Sequence, residues 1–257
     1  MRWAMVLLLL LATTPLCHAD GLQILGEESP PGEYLDENGR PAGVTIELVR
    51  NLLRRQGLTA NIRILPWNRA YHMGLTGRNI ALLETTRTAA REDLFKWVGP
   101  ILVVKRIIYA RSDYTGTIEK VADLQQAETI CVLRGSSNHS HLRDLGLKQI
   151  YPVATPSLCL KMLMADRLTL FYSSEIGMEG LLKEQNLSPD SVRATLHLKR
   201  EYLYIAFSRD VSDAHIASWQ KALEEAKADG TIKAIYQGVY SDKIIQEVCI
   251  PGDPLAH

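Results

Sequence analysis

The sequence predicts an α/β fold of two similarly built, Rossmann-like lobes with a ligand cleft between them, and three observations carry that prediction. Short apolar runs alternate with helical patterns from end to end, the pattern of largely parallel strands joined by helices. A polar segment, Arg111 to Gly116, interrupts the alternation and is read as the gap between lobes. Finally, Leu75-Thr76-Gly77-Arg78 before Ala81-Leu82-Leu83 is echoed by Met164-Ala165-Asp166-Arg167 before Leu168-Thr169-Leu170, so the two halves repeat one plan. Clefts at the C-terminal ends of such strands are where ligands bind.

The elements follow in order. Leu22 to Leu25 reads as a strand. Thr45 to Gln56 is a helix with Ile46, Val49 and Leu53 on one face and Gly57 at its C-terminal cap. Asn61 to Leu65 is a strand closed by Pro66, Asn68 to Leu75 a helix, and Ala81 to Leu83 a very short strand. Leu102 to Ala110 opens the second cycle. Thr129 to Leu133 is a strand, Arg134 to Ser137 a turn, His139 to Leu145 a helix and Gln149 to Val153 a strand. Ser157 is placed to cap the helix running to Asp166, and Leu168 to Tyr172 is a buried strand. Ser212 caps a long helix through Asp229, whose apolar stripe is Ile216, Trp219, Leu223 and Ala226.

Residues 1–19 have the layout of a cleavable export signal: Arg2, an apolar run from Ala4 to Ala12, and a small residue, Ala19, before the expected cut. That run is too short to cross a hydrocarbon core, which needs about twenty residues. Thr14-Pro15-Leu16 lacks the small residue that precedes a lipidated cysteine at Cys17, and no later segment is apolar enough to span a bilayer. The expected mature protein starts near Asp20, is not inserted in the membrane, and works outside the cytoplasm.

Lysine plus arginine and aspartate plus glutamate number 29 each, so no basic surface advertises nucleic acid and no acidic tail suggests disorder. A small molecule is the expected partner, and no cofactor or metal pattern is present. Cys131, Cys159 and Cys249 follow the signal; three cysteines allow one bridge and one free thiol. Cys131 in a strand and Cys159 on the helix after the next strand can lie close enough to bridge, or remain two buried thiols. His139 and His141 are near neighbours, but positions i and i+2 of a helix face apart, which favours solvated or capping histidines over metal ligands.

At Thr88 the sequence becomes specific. Thr88-Ala89-Ala90-Arg91-Glu92, then Phe95 and Gly99-Pro100, resembles the Thr-Pro-Glu-Arg signature and following proline of the family 3 periplasmic solute-binding proteins, the polar amino-acid binding components of ABC importers. Further matches run in order: Pro30-Pro31, Asn38-Gly39, Gly43 to Leu48, Pro66-Trp67, Gly135-Ser136-Ser137 after Val132-Leu133, and Ala228-Asp229-Gly230-Thr231 before Ile235-Tyr236. The resemblance implies the periplasmic binding protein-like II fold, with two lobes joined by two crossover strands and closing about a hinge around a solute. It places the crossings near Val103 and Tyr202, which makes lobe 1 from 20–103 plus 203–248 and lobe 2 from 104–202, with 249–257 as a tail. It also implies a monomeric periplasmic carrier and an ABC permease as partner.

Arg91 lies where the family clamps a ligand carboxylate with a guanidinium, whose planar fork makes two parallel charge-assisted bonds; the plain alternative is a solvated arginine. Thr86 is at the position that offers a hydroxyl to the same carboxylate. Ser136 and Ser137 begin a helix, so a hydroxyl and first-turn N–H groups can grip an anion or simply cap. Trp67 is an aromatic candidate for the cleft, Tyr71 and Tyr34 weaker ones, with core filling as the alternative. Two departures stand out. The amino-acid binders hold the ligand ammonium with an aspartate where this sequence has Ser174, with Glu175 adjacent, and Ser29 replaces their aromatic lid. Glu84 occupies a position where a small hydroxyl residue is usual; it either receives a cationic ligand group or neutralises Arg91. A non-enzymatic receptor is therefore expected, with two competitors: a dehydratase acting on cyclohexadienyl acids through Glu84 or Glu175, and a sensory module working with a separate membrane partner.

Overall fold

The computed structural model describes residues 21–127 and 129–250; the export signal expected over 1–19 lies outside them. An eight-stranded sheet organises the chain, and its two flanks are built on the same plan. On one side β1 (Gln23–Gly26) lies between β4 (Asn61–Ile64) and β5 (Ile80–Thr86), all parallel. On the other, β7 (Ile130–Leu133) lies between β8 (Ile150–Val153) and β9 (Leu170–Ser174), again parallel. Between the flanks run two 16-residue strands, β6 (Lys96–Arg111) and β10 (Val192–Phe207), antiparallel to each other and to their neighbours. A two-residue pair, β2 (Tyr34–Leu35) and β3 (Pro41–Ala42), forms a separate small hairpin.

Helices cover both faces of each flank. In the first lobe α1 (Val44–Arg55) and α6 (Asp213–Ala228) bury Leu48, Leu52, Trp219 and Leu223 against Phe207 and Ile205. On the opposite face α2 (Trp67–Thr76) sets Ala70 against Leu25, Leu82 and Phe95. In the second lobe α4 (Pro156–Met164) and α5 (Glu175–Glu184) pack Leu160, Leu163, Met178 and Leu181 on Phe171. There α3 (Ser137–Asp144) covers the other face with Leu142 against Ile130 and Tyr172. Two short helices, α7 (Thr231–Tyr236) and α8 (Asp242–Val248), return to the first lobe's core with Tyr236 and Val248. Each lobe thus has its own two-sided core, the layered solution for a sheet whose strands are apolar on both faces.

Val103 and Tyr202, read from the sequence as crossings, are direct partners in the β6–β10 ladder. Ser212 caps α6 by accepting from the His215 N–H, and Gly57, with φ of 65°, follows the end of α1. Cys131 and Cys159 form a disulfide tying β7 to α4, while Cys249 is a free, half-buried thiol.

Several expectations need correction. The segment Arg111 to Gly116 is not the gap between lobes. Arg111 pairs with Val192 at the far end of the long ribbon and bridges Asp113 and Asp166, so the loop belongs wholly to the second lobe. Thr155, not Ser157, caps α4: its hydroxyl accepts from the Leu158 N–H, and Pro156, which has no N–H to leave unsatisfied, takes the first helical position. The strand expected over Ala81 to Leu83 continues to Thr86, and the one expected to end at Tyr172 continues to Ser174, so polar residues expected just past the strands sit at their ends. Helices α5, α7 and α8 and most of β10 have no counterpart among the sequence-based expectations.

Candidate functional site

The C-terminal ends of β1, β5, β7 and β9 converge where the lobes meet, and a cavity of about 90 Å³ remains between them. A single water needs roughly 10–15 Å³, so the space suits a small solute of several heavy atoms.

From the first lobe comes a short 3₁₀ turn, Ala89–Leu94, which carries Arg91 into the interior at 7% exposure. Its guanidinium lies 4.9 Å from the Tyr71 ring centre and 5.3 Å from that of Trp67, and Nη1 donates to the Thr86 carbonyl at 3.2 Å. The ring contacts use the face of the cation, while Nη1 spends an N–H on the Thr86 carbonyl in its plane. Burial draws the Arg91 pKa below its ordinary value, the cost that a bound anion would offset. Trp67 and Tyr71 stack with centroids 5.3 Å apart at the start of α2. Trp67 lines the cavity, whereas Tyr71 stands behind Arg91 and away from the cavity wall.

The second lobe faces this with the start of α3. Ser136 caps the helix, accepting from the His139 N–H at 3.2 Å and donating to the Leu133 carbonyl at 2.8 Å, so its hydroxyl is already engaged. Ser137 Oγ reaches across to Thr86 Oγ1 at 3.2 Å, and Trp67 Nε1 donates to the Gly135 carbonyl at 3.0 Å. The second bond brings α2 so near that a Cβ on Gly135, whose φ is 72°, would overlap Asn68. These contacts join the lobes over one mouth of the cavity. First-turn N–H groups at the N-terminus of a helix have no partner within it and favour an anion.

Ser174, at the end of β9, lines the cavity but gives its hydroxyl to the cap of α5, accepting from the Gly177 N–H at 3.0 Å. Glu175 turns away: its carboxylate accepts from the Lys105 N–H at 2.5 Å. Glu84 does line the cavity. It is in the left-handed region, with φ of 40°, a kink that turns its carboxylate toward the start of α1, where Thr45 Oγ1 donates to it at 2.5 Å. Its positive neighbour is Arg106 rather than Arg91, so of the two roles read for Glu84 the neutralising of Arg91 is the one this geometry does not show.

Arg106 is the principal residue that the sequence reading missed. It leaves the crossing strand β6 to pair with Glu201 of β10 at 2.6 Å and donates to Thr86 Oγ1 at 3.2 Å. Burial pushes the Glu201 carboxyl up, but Arg106 and Lys199 outweigh it and hold it below its usual value. The signal was a charged residue inside the apolar run from Ile101 to Ala110, since a charge is buried in a strand only with a partner. Glu27 was also missed. It follows β1 directly, at the strand end where such folds bind ligands, and burial together with the nearby Glu84 raises its pKa to about 8. His139 and His141 are settled locally, His139 Nδ1 accepting from the Gly135 N–H and His141 Nδ1 hydrogen-bonded to the Tyr172 hydroxyl at 2.8 Å.

A two-lobed α/β chain with its cavity at facing strand ends defines a solute-binding protein of the type II class. Residues 22–241 match the bacterial extracellular solute-binding proteins, family 3, and the chain belongs to that family. A comparison with curated protein sequences finds no match. Among solved structures, a histidine kinase sensor domain with similarity to periplasmic binding proteins superposes with a TM-score of 0.79 at 22% identity, covering 87% of this chain and 99% of that one. An ancestral arginine-binding protein bound to arginine gives 0.76 at 20%, covering 87% and 100%. A Streptococcus pneumoniae ABC uptake transporter substrate binding protein with bound histidine gives 0.76 at 16%, covering 86% and 93%. Identities this low show the shared fold. No helix among the described residues is long and apolar enough to cross a membrane.

Proposed function

We propose that the protein is a periplasmic receptor that captures a small, carboxylate-bearing, amino-acid-like solute by closing its lobes and delivers it to an ABC-type importer. The observation that carries this reading is Arg91, whose buried guanidinium is braced by Trp67 and Tyr71 beside Thr86 and opposite the N-terminus of α3. A carboxylate between them would meet a planar cationic fork, two hydroxyls and first-turn N–H groups, which together offset the cost of burying both charges. Lobe 1 is then 20–103 plus 203–248 and lobe 2 is 104–202, rotating about the paired crossings at Val103 and Tyr202. Arg91, Thr86, Ser137 and Trp67 are the proposed contacts, with Glu84 and Ser174 on the walls, Ser136 capping α3 and Tyr71 bracing Arg91. Export through the signal at 1–19 supplies the compartment.

The test is mass spectrometry of solute released from gently purified protein, followed by calorimetry with that solute. A carboxylate-bearing compound whose binding is lost in Arg91→Ala supports the reading; a neutral sugar refutes it. Turnover of prephenate by the purified protein would replace the receptor with an enzyme.

A sensory role is the second reading, favoured by the superposition on a kinase sensor domain. Deleting the gene for this protein separates the two, because uptake of the solute then fails only if the protein serves transport.

A further inference from the structure

Five aromatic rings run in unbroken contact along the first lobe, and an arginine from one short segment lies over each end of the row. Trp67 meets Tyr71 with centroids 5.3 Å apart, Tyr71 meets Phe95 at 5.6 Å, Phe95 meets Trp97 at 5.7 Å, and Trp97 meets Tyr204 of β10 at 6.0 Å. Arg91 covers Trp67 and Tyr71. Arg87 covers the other end, its Cζ 5.8 Å from the Trp97 ring centre and 5.4 Å from that of Tyr204. Both ends of the row are fixed: the Trp67 indole is bonded to the Gly135 carbonyl of the second lobe, and β6 lies so close to Tyr204 that a Cβ on Gly99 would overlap its ring.

Arg87 and Glu92 bracket Arg91 in the chain, and they are joined. Arg87 Nε donates to Glu92 Oε2 at 2.7 Å and Nη2 to Oε1 at 2.5 Å, a two-bond fork across the 3₁₀ turn. The Trp97 indole donates to the Glu92 carbonyl at 3.1 Å, and the Arg91 N–H to the Thr88 carbonyl at 2.9 Å. Thr86, whose carbonyl accepts from Arg91 and whose hydroxyl meets Ser137, directly precedes Arg87. Hydrogen bonds of 3₁₀ type have poorer geometry than α-helical ones, and runs beyond about four residues are uncommon, so the six-residue turn Ala89–Leu94 needs support from outside. The Glu92 side chain is 44% exposed, and an ion pair so open adds little to overall stability. What the fork adds is geometry, and neither of its residues lines the cavity.

We infer that Arg87 is a positioning residue for the anion clamp: through Glu92 and the aromatic row it holds the Arg91 guanidinium in the orientation that a carboxylate requires, without touching the solute. The inference rests on the receptor reading above for the role of Arg91 alone. Ordering a binding group before the solute arrives removes that cost from the binding step. Arginine suits the task where lysine does not, because one planar group both stacks on rings and offers two parallel N–H bonds.

The experiment is arginine-selective modification of the full mature chain by phenylglyoxal, followed residue by residue with peptide mass mapping. Arg55 of α1, held by Asn51 and Asp229, and Arg193 of β10, held by the Tyr114 and Gly116 carbonyls, report any general loosening of the two lobes. Arg87→Ala and, separately, Glu92→Gln should speed modification of Arg91 roughly tenfold, the weight of one charge-assisted hydrogen bond in a local opening equilibrium, with Arg55 and Arg193 unchanged. The double variant should do no more than either alone, because the same fork is lost in each. Arg87→Lys, which keeps the charge but not the fork, should be intermediate. If Arg87→Ala does not fold, Glu92→Gln alters only a half-exposed side chain and carries the same test. Modification of Arg91 at the wild-type rate in the variants overturns the inference, and so does an equal rise at Arg55 and Arg193, which would make the fork a support of the whole molecule. Acetate, the smallest suitable carboxylate, should slow the Arg91 reaction in the wild type and slow it less in the variants. No slowing in the wild type counts against the carboxylate reading alone, because the variant rates need no solute.

Discussion

Arg106 and Glu201 face each other across the two crossing strands, Nε to Oε2 at 2.6 Å, and the same guanidinium reaches the Thr86 hydroxyl at the cavity wall. The pair links the hinge ladder to the binding site. Removing one partner of a buried ion pair typically costs about 3–5 kcal/mol, because the other charge is left uncompensated. Lys199 also contacts Glu201, but it does not replace the carboxylate for Arg106. Glu201→Ala is therefore expected to lower the melting temperature by roughly 6 °C or more, at about 2–4 °C per kcal/mol for a chain of this size. A melting curve within 2 °C of wild type would show that the pair is dispensable.

Arg91 gives the sharpest binding prediction. Two charge-assisted bonds of about 1.5 kcal/mol each amount to roughly a hundredfold in affinity, and Arg91→Ala should lose at least that for the released solute. Arg91→Lys restores the charge without the fork and should recover only part of the loss. Trp67→Phe keeps the ring beneath Arg91 but removes the indole bond to Gly135, so it should weaken binding a few-fold, mainly through faster release. Calorimetry and stopped-flow fluorescence measure these effects; full affinity in Arg91→Ala would dismiss the carboxylate site.

What is legible in the sequence, and what is not, divides by the range of the interactions. Helices α1 and α6 declare themselves by an apolar face and local caps at Gly57 and Ser212, all within a few residues. The motif around Arg91 is equally local. Glu201 and Arg106 are 95 positions apart, and neither has a neighbour in sequence that reveals the other. Strand β10 is hard to see because every residue from Val192 to Arg200 is half-buried or exposed, and His197, Lys199 and Arg200 are among them, so it lacks the apolar run of a buried strand. Ser157 and Thr155 are both acceptable caps by residue type, and the proline between them decides for Thr155 by taking the first helical position.

The disulfide supplies a stability prediction. Closing a 28-residue separation between Cys131 and Cys159 restricts the unfolded chain by about 3.5 kcal/mol in the loop-entropy treatment. Replacing both cysteines by serine, or reducing the protein, should destabilise it by about 2–4 kcal/mol in urea. Cys249 is the free thiol, half-buried, so denatured unreduced mature protein should titrate one thiol per chain. Three would mean that the bridge does not form.

The acid end of the cavity predicts how the empty protein responds to pH. A carboxyl whose folded pKa lies above its unfolded value makes folding take up protons, so stability is fullest below about 4.5 and is lost as pH rises through the folded value. Glu84, raised from 4.5 to about 7, and Glu27, raised to about 8, place that loss between pH 5 and 8. Each tenfold change in a carboxyl's proton affinity is worth about 1.4 kcal/mol, so the effect reaches several degrees of melting temperature. His139 and His141 act in the opposite sense, because burial lowers both pKa values and their stability contribution grows as pH rises through the same range. The decisive readout is therefore the difference between wild type and Glu84→Gln. Glutamine cannot ionise, so the variant should be more stable than wild type at pH 8 by about 5 °C and lose that advantage at pH 5. A difference that does not change between pH 5 and 8 would mean that Glu84 is ionised throughout that range and stores no proton to release.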